Sequence, residues 1–128
     1  MTRREQSAPQ AAVAVSRYVR AWNEHSPEIR IRRLEECWAP GGTYVDRNVE
    51  QPLVGVEALS SYVGSVQRRY PGHEIVVVGP VHEHHGRFMF RWSYTGPDEG
   101  SPIEGIDFGE VDDQGMIRSI TGFRLGTQ

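Results

Sequence analysis

Two aspartates, a tyrosine and a group of aromatic residues carry the chemistry available to this sequence. Asp46 ends a short extended run, Thr43 to Asp46, in which Tyr44 and Asp46 share a face. Asp107 alternates with Ile103, Gly105, Gly109 and Val111. A solvent-facing carboxylate is out of place in that set, so Asp107 is expected to point inward. Tyr18 falls on the apolar stripe of the first amphipathic segment with Val15, Val19 and Trp22. Two carboxyls in an aromatic pocket divide their roles by environment: desolvation keeps one neutral as a donor, and the better solvated one stays ionised as a base. With a phenol beside them they suit proton abstraction next to a carbonyl. Asp46 is then the base, and Tyr18 and Asp107 hold the oxyanion.

Each of the three also has a plainer reading. Tyr18 can be a core tyrosine whose hydroxyl reaches the surface. Asp46 can be a turn aspartate bonding its own backbone, and Asp107 can pair with Arg91 or Arg124. The run His82-Glu83-His84-His85-Gly86 suggests a metal, because His82 and His84 share a strand face, but it lies at an expected hairpin tip without a third ligand nearby. No metal site is therefore expected, and His84 is kept as a possible acid or base. Cys37 reads as an inert core thiol, and the clusters Arg30 to Arg33 and Arg68-Arg69 read as solvated helix faces.

The elements that position these residues follow from periodicity. Helical spacing runs from Gln10 to about Glu24. A second helix is expected from Pro27 to Trp38, with Ser26 as N-cap, Pro27 at its first position and a stop at Pro40-Gly41-Gly42, and a third from Val56 to Tyr70, with Leu59, Tyr62, Val63 and Val66 as its buried stripe. After Gly72 the period changes from 3.6 to 2. Strands are expected at His73 to Val78, Val81 to His85, Arg87 to Tyr94, Pro102 to Val111 and Ile117 to Leu125, with a tight hairpin at Asp112-Asp113-Gln114-Gly115. Residues 47–55 and 96–101 read as loops able to cap a pocket, and 1–9 as a frayed terminus. The remainder, 10–128, reads as one α+β domain with three helices packed on a strongly curved, mainly antiparallel sheet. Trp22, Tyr44, Leu59, Val63, Phe90, Trp92, Tyr94 and Ile120 are the expected pocket wall.

Composition narrows the function classes. The chain has 128 residues, a formal net charge of −3 and one cysteine, which excludes an internal disulfide and gives no electrostatic case for nucleic acid. All 14 basic residues are arginine. Schiff-base lysine chemistry and a Walker-type phosphate loop are therefore absent. No apolar run is long enough to span a bilayer or form a signal-peptide core, so the reading is cytoplasmic, with no membrane partner.

The order of motifs resembles the nuclear transport factor 2-like superfamily, in its SnoaL-like and ketosteroid isomerase-like branch. The resemblance covers about Ala12 to Leu125. It rests on Trp22-Asn23, Trp38-Ala-Pro-Gly-Gly-Thr-Tyr-Val-Asp46, Leu53-Val-Gly55, Tyr70-Pro-Gly72 and Gly105-Ile-Asp-Phe-Gly-Glu-Val-Asp-Asp-Gln-Gly115. It implies a cone-shaped α+β barrel with a cavity between sheet and helices, and a homodimer formed across the sheets. It also implies Asp46 as catalytic base, Asp107 as protonated oxyanion-hole aspartate and Tyr18 as oxyanion-hole tyrosine. Arg47 stands where a proline usually follows the base, and about one extra helical turn lies between Ser26 and Trp38.

The expected function is cofactor-free acid–base chemistry on a small hydrophobic carbonyl compound, of isomerase, cyclase or dehydratase type. A non-catalytic ligand-binding or dimerising module of the same fold is the alternative. An epoxide hydrolase using Asp46, Arg91 and Asp107 ranks third, because alternation places Arg91 on the opposite face from Asp107.

Overall fold

The computed structural model describes residues 10–97, 100 and 102–126; the expected frayed segment 1–9 lies outside the described residues, and loop 96–101 is described in part. Three helices, α1 (Gln10–Trp22), α2 (Pro27–Glu35) and α3 (Val56–Arg69), pack on a six-stranded sheet. The strands are β1 (Trp38–Val45), β2 (Leu53–Val54), β3 (Glu74–His84), β4 (Arg87–Thr95), β5 (Ile103–Val111) and β6 (Ile117–Arg124), in the order β2-β1-β6-β5-β4-β3. All neighbours are antiparallel except β1 and β6, which run parallel. The sheet is mixed and open, with β2 and β3 at its edges.

Small residues let α1 lie close to the sheet. Ala11, Ala14 and Ala21 are buried beside Val15, Tyr18 and Trp22. Ser26 caps α2 as expected, its Oγ accepting from the Ile29 N–H at 3.4 Å, with Pro27 following it. The end of α1 is tied down twice. Asn23 donates to the Ile75 carbonyl and accepts from its N–H, both at 2.9 Å, which satisfies the edge strand β3. Gln67 of α3 donates to the Trp22 and Glu24 carbonyls at 2.9 and 3.0 Å.

Four local expectations are corrected. Helix α2 stops at Glu35, and Trp38 opens β1 instead of closing the helix. The Pro40-Gly41-Gly42 run is part of a strand whose register against β6 is interrupted between Trp38 and Thr43, where Gly41 takes φ of 75°. Leu53–Val54, expected as loop, pairs with Tyr44 and Thr43. The two expected strands either side of Gly79-Pro80 are one strand with a register shift between Val78 and His82, tolerated because β3 is an edge.

Arg30, expected on a solvated face, is 3% exposed. Its guanidinium donates to the Glu24 and His25 carbonyls, to the Ser60 carbonyl and Oγ, and to Gln67 Oε1. A buried charge with its donors satisfied this way holds α1, α2 and α3 at one point.

The core fills one end of the space between helices and sheet: Val15, Leu34, Leu59, Val63, Phe88, Phe90, Ile117 and Ile120 are nearly inaccessible. The other end stays open as a cavity.

Candidate functional site

Asp46 and Asp107 face one another across β6. Tyr44 and Val45 of β1 stand opposite Ile120 and Thr121, so Asp46, the next residue, continues the row toward Gly122. On the other side Asp107 of β5 pairs with Gly122. A Cβ on residue 122 would lie 2.9 Å from Asp107 Oδ1 and 3.7 Å from the Asp46 Cβ and the Tyr44 hydroxyl. Glycine therefore leaves the gap through which the two carboxyls share a cavity.

The bare pattern around Asp107 has a similar cause. A Cβ at Gly105 would fall within 2.4 Å of Trp92 ring atoms, and one at Gly109 as close to Phe88. These two aromatic rings of β4 lie over the glycines and bracket Asp107. Trp92 Nε1 thereby donates to Asp107 Oδ1 at 2.8 Å. The carboxyl, 4% exposed, is pushed up to about 7 by burial, with the Trp92 hydrogen bond holding back part of the rise and Asp46 adding to it. With Oδ1 held, Oδ2 is the oxygen that can carry a proton at neutral pH. Its partner is an indole, where the plainer reading expected Arg91 or Arg124.

Asp46 is fixed more firmly than the sequence suggested. Its Oδ2 accepts from the Tyr44 and Tyr62 hydroxyls at 2.7 and 2.6 Å, and its Oδ1 from the Asn48 N–H at 2.8 Å. The turn reading and the cavity reading both hold for this residue. Each carboxylate oxygen has two lone-pair directions, so one on Oδ1 remains for a ligand. Burial and the Asp46 carboxylate hold both phenols above the ordinary tyrosine range.

The Tyr18 hydroxyl has no hydrogen-bond partner although it is fully buried, and the Trp22 Nε1 and Tyr94 hydroxyl are in the same condition. All three residues line the cavity. Burial, reinforced by Asp107 and opposed in part by the Trp22 N–H beside the phenol oxygen, holds Tyr18 well above its ordinary value, so it stays a neutral donor whose proton has no acceptor. Its ring stacks on Trp38 at 5.7 Å and meets Trp22 edge-on at 6.4 Å, which fixes its direction.

The cavity, about 100 Å³, has room for several water molecules. Tyr18, Trp22, Tyr44, Tyr94 and Asp107 form its buried floor, while Asp46, Tyr62 and Trp92 stand at middle depth. Arg47, Asn48, Arg69 and Arg124 also line it and are exposed, which makes them its mouth. Thus Tyr18, Asp46 and Asp107 come together, with Trp22, Tyr44, Trp92 and Tyr94 as wall.

Four expected wall residues do not line the cavity. Leu59, Val63, Phe90 and Ile120 are packed at the closed end of the cone, because the inward face continues past the floor into solid core. His84 is exposed at the tip of the β3–β4 hairpin, its Nδ1 2.9 Å from His85 Nδ1, and is no part of the site. Arg91 is exposed on the outer face, which removes the Asp-Arg-Asp arrangement. Among the described residues no group of three or more His, Cys, Asp or Glu could hold a metal.

A profile of the SnoaL-like domain matches residues 15–120. The chain belongs to the SnoaL-like family. Solved structures agree with this SnoaL-like fold. One, from Agrobacterium tumefaciens str. C58 and assigned provisionally as an isomerase of the same family, has a TM-score of 0.82 at 26% identity, covering 91% of this chain and 98% of that one. A protein from Kribbella flavida DSM 17836, provisionally a ketosteroid isomerase, gives 0.69 at 18% identity over 93% and 80%. An NTF2-like protein of unknown function from Exiguobacterium sp. 255-15 gives 0.69 at 18% identity over 89% and 99%. The last two support the fold alone. No curated protein matches this SnoaL-like chain. Among the described residues no helix is long and apolar enough to cross a membrane.

Proposed function

We propose that this SnoaL-like domain is a cytoplasmic, cofactor-free acid–base enzyme acting on a small hydrophobic carbonyl compound, by isomerisation, aldol-type cyclisation or dehydration. Asp46 Oδ1 takes a proton from the carbon next to the carbonyl. The oxygen on which charge then develops is held by the Tyr18 hydroxyl and by protonated Asp107, and the proton returns to a second carbon, to an alkoxide or to a leaving oxygen. The observation that carries this reading is the unpartnered Tyr18 hydroxyl. A buried donor without an acceptor costs about 1–3 kcal/mol, a cost that a ligand oxygen bound in the cavity would recover. The test is proton exchange of 2-tetralone and related aryl ketones in deuterium oxide, followed by NMR. The protein should accelerate exchange, and Tyr18→Phe should lose ~10²–10³ of that rate, as for loss of an oxyanion donor, with its near-ultraviolet dichroism unchanged. No acceleration over buffer across the ketones would overturn the reading.

The saturated Oδ2 of Asp46 favours the second reading, a binding module whose aspartate is structural. Such a module returns its ligand chemically unchanged, so recovery of a converted product excludes it.

A homodimer belongs to the same proposal. On the sheet face away from the helices, Phe108, Phe123, Val76 and Val78 are 45 to 53% exposed, and the rings of Phe108 and Phe123 meet at 5.9 Å. A second copy would cover this face. Light scattering on a sizing column should give twice the chain mass, and Phe108→Arg should give a monomer; a monomeric wild type would contradict it.

A further inference from the structure

The mouth of the cavity is cationic, although the chain as a whole carries −3. Three exposed arginines, Arg47, Arg69 and Arg124, line it against the two aspartates deeper in. Among the described residues the guanidinium groups of Arg69 and Arg124 have neither a hydrogen bond nor an ion pair; the pairs formed elsewhere are Arg33–Glu24 and Arg118–Glu110. Each is also set at a definite reach from the reacting groups. Tyr62, Val66, Arg69 and Tyr70 all line the cavity from one face of α3, so Arg69 lies two turns beyond Tyr62, ~10 Å along the axis. On β6, Arg124 follows Gly122 by two residues on the same face, ~7 Å further along.

We propose that the substrate is amphipathic: its apolar body and carbonyl enter the cavity, and an anionic group at the end that stays near the opening, a carboxylate or a sulfonate-like group, is received by Arg69 and Arg124. This rests on the reading that the cavity takes an apolar ligand. Planar guanidinium forks pair with such groups through two parallel hydrogen bonds, and a cationic mouth also draws an anion toward the opening before contact. The alternating sign, neutral donors at the floor and arginines at the rim, fixes which end of the molecule enters first.

Two fluorescent probes of nearly one shape test this: 1-anilinonaphthalene-8-sulfonate, and N-phenyl-1-naphthylamine, which lacks the sulfonate. At low salt the sulfonate probe should bind ~10-fold more tightly, the equivalent of about 1.4 kcal/mol. The preference should vanish in the Arg69→Met/Arg124→Met double variant and shrink at ~0.5 M salt, with the neutral probe's Kd changed by less than ~2-fold. Arg91→Met, on the outer sheet face, should keep the preference. No preference in the wild type, a preference that survives in the double variant, or binding of neither probe would overturn the proposal. Ketone exchange is measured separately, so loss of the anion preference with exchange intact removes this inference alone. Absence of exchange with the preference intact removes the catalytic reading alone.

Discussion

Replacing Asp46 with asparagine should lower the rate of ketone exchange by ~10³-fold, within the range a positioned general base contributes, while the protein still folds and binds the neutral naphthylamine. The geometry says why the variant should survive. The amide oxygen can take over the two phenol hydrogen bonds that Oδ2 now accepts from Tyr44 and Tyr62. The amide nitrogen then faces the Asn48 N–H, donor against donor, where Oδ1 accepted before. That loss costs about 1 kcal/mol, a fall in Tm of roughly 3–5 °C in a domain of this size. Rate and stability therefore separate: a thousandfold loss of turnover cannot come from so small a loss of fold. A variant that keeps more than a tenth of the wild-type exchange rate would show that another group takes the proton.

Asp107→Asn should do the opposite to stability, with a sign set by pH. The folded carboxyl is raised to about 7 from an ordinary value of 3.8. Below the unfolded value both states hold the proton, and burial of the acid costs nothing extra. Between the two values only the folded state holds it, so stability falls as pH rises. Above about 7 the full penalty applies, on the order of 4 kcal/mol. Asparagine has no charge to bury and can still accept from Trp92. Its Tm should therefore exceed that of the wild type at pH 8 by on the order of 10 °C and match it near pH 3. The same proton is proposed to hold the oxyanion, so wild-type exchange should decline as pH rises through about 7. The variant should be slower throughout and lack that decline. Equal Tm values at pH 8, or a wild-type rate that climbs unchanged past pH 8, would mean that Asp107 is not kept neutral by its surroundings.

Much of this site was legible because a strand has a period of two. The alternation Ile103-Gly105-Asp107-Gly109 placed Asp107 inward, and the structure supplies the reason for the glycines: rings from the neighbouring strand lie over them. Helical spacing placed Tyr18 and Trp22 inward in the same way. What alternation cannot give is depth. Phe90 and Trp92 share a face, yet Phe90 is core and Trp92 is wall, because the cone is filled at one end and hollow at the other. Nor does a stripe position show where a hydroxyl ends, so Tyr62 read as packing although its oxygen reaches Asp46. Gly122 carried no signal, since its effect is a gap seen only when β1, β6 and β5 lie side by side. Breakers misled at Pro40-Gly41-Gly42 and Gly79-Pro80, where a register shift lets a strand continue through residues that usually end one. Arg30 read as solvated because all five of its acceptors are backbone carbonyls or side chains distant in sequence, none of which has a periodicity to read.

The parallel pairing of β1 with β6 has a consequence for how the site comes into being. The helices with β1, and the β3–β5 meander, are each continuous in sequence, but neither holds both aspartates. The two carboxyls become neighbours only when β1 pairs with β6, itself hairpinned to β5, and that pairing is a contact of long sequence separation, the kind that slows folding. Strand β6 is the keystone of the arch. A chain that has collapsed without it can own every reactive group and still be inert, so catalysis would report completion of the fold more sharply than any spectroscopic signal of helix or sheet.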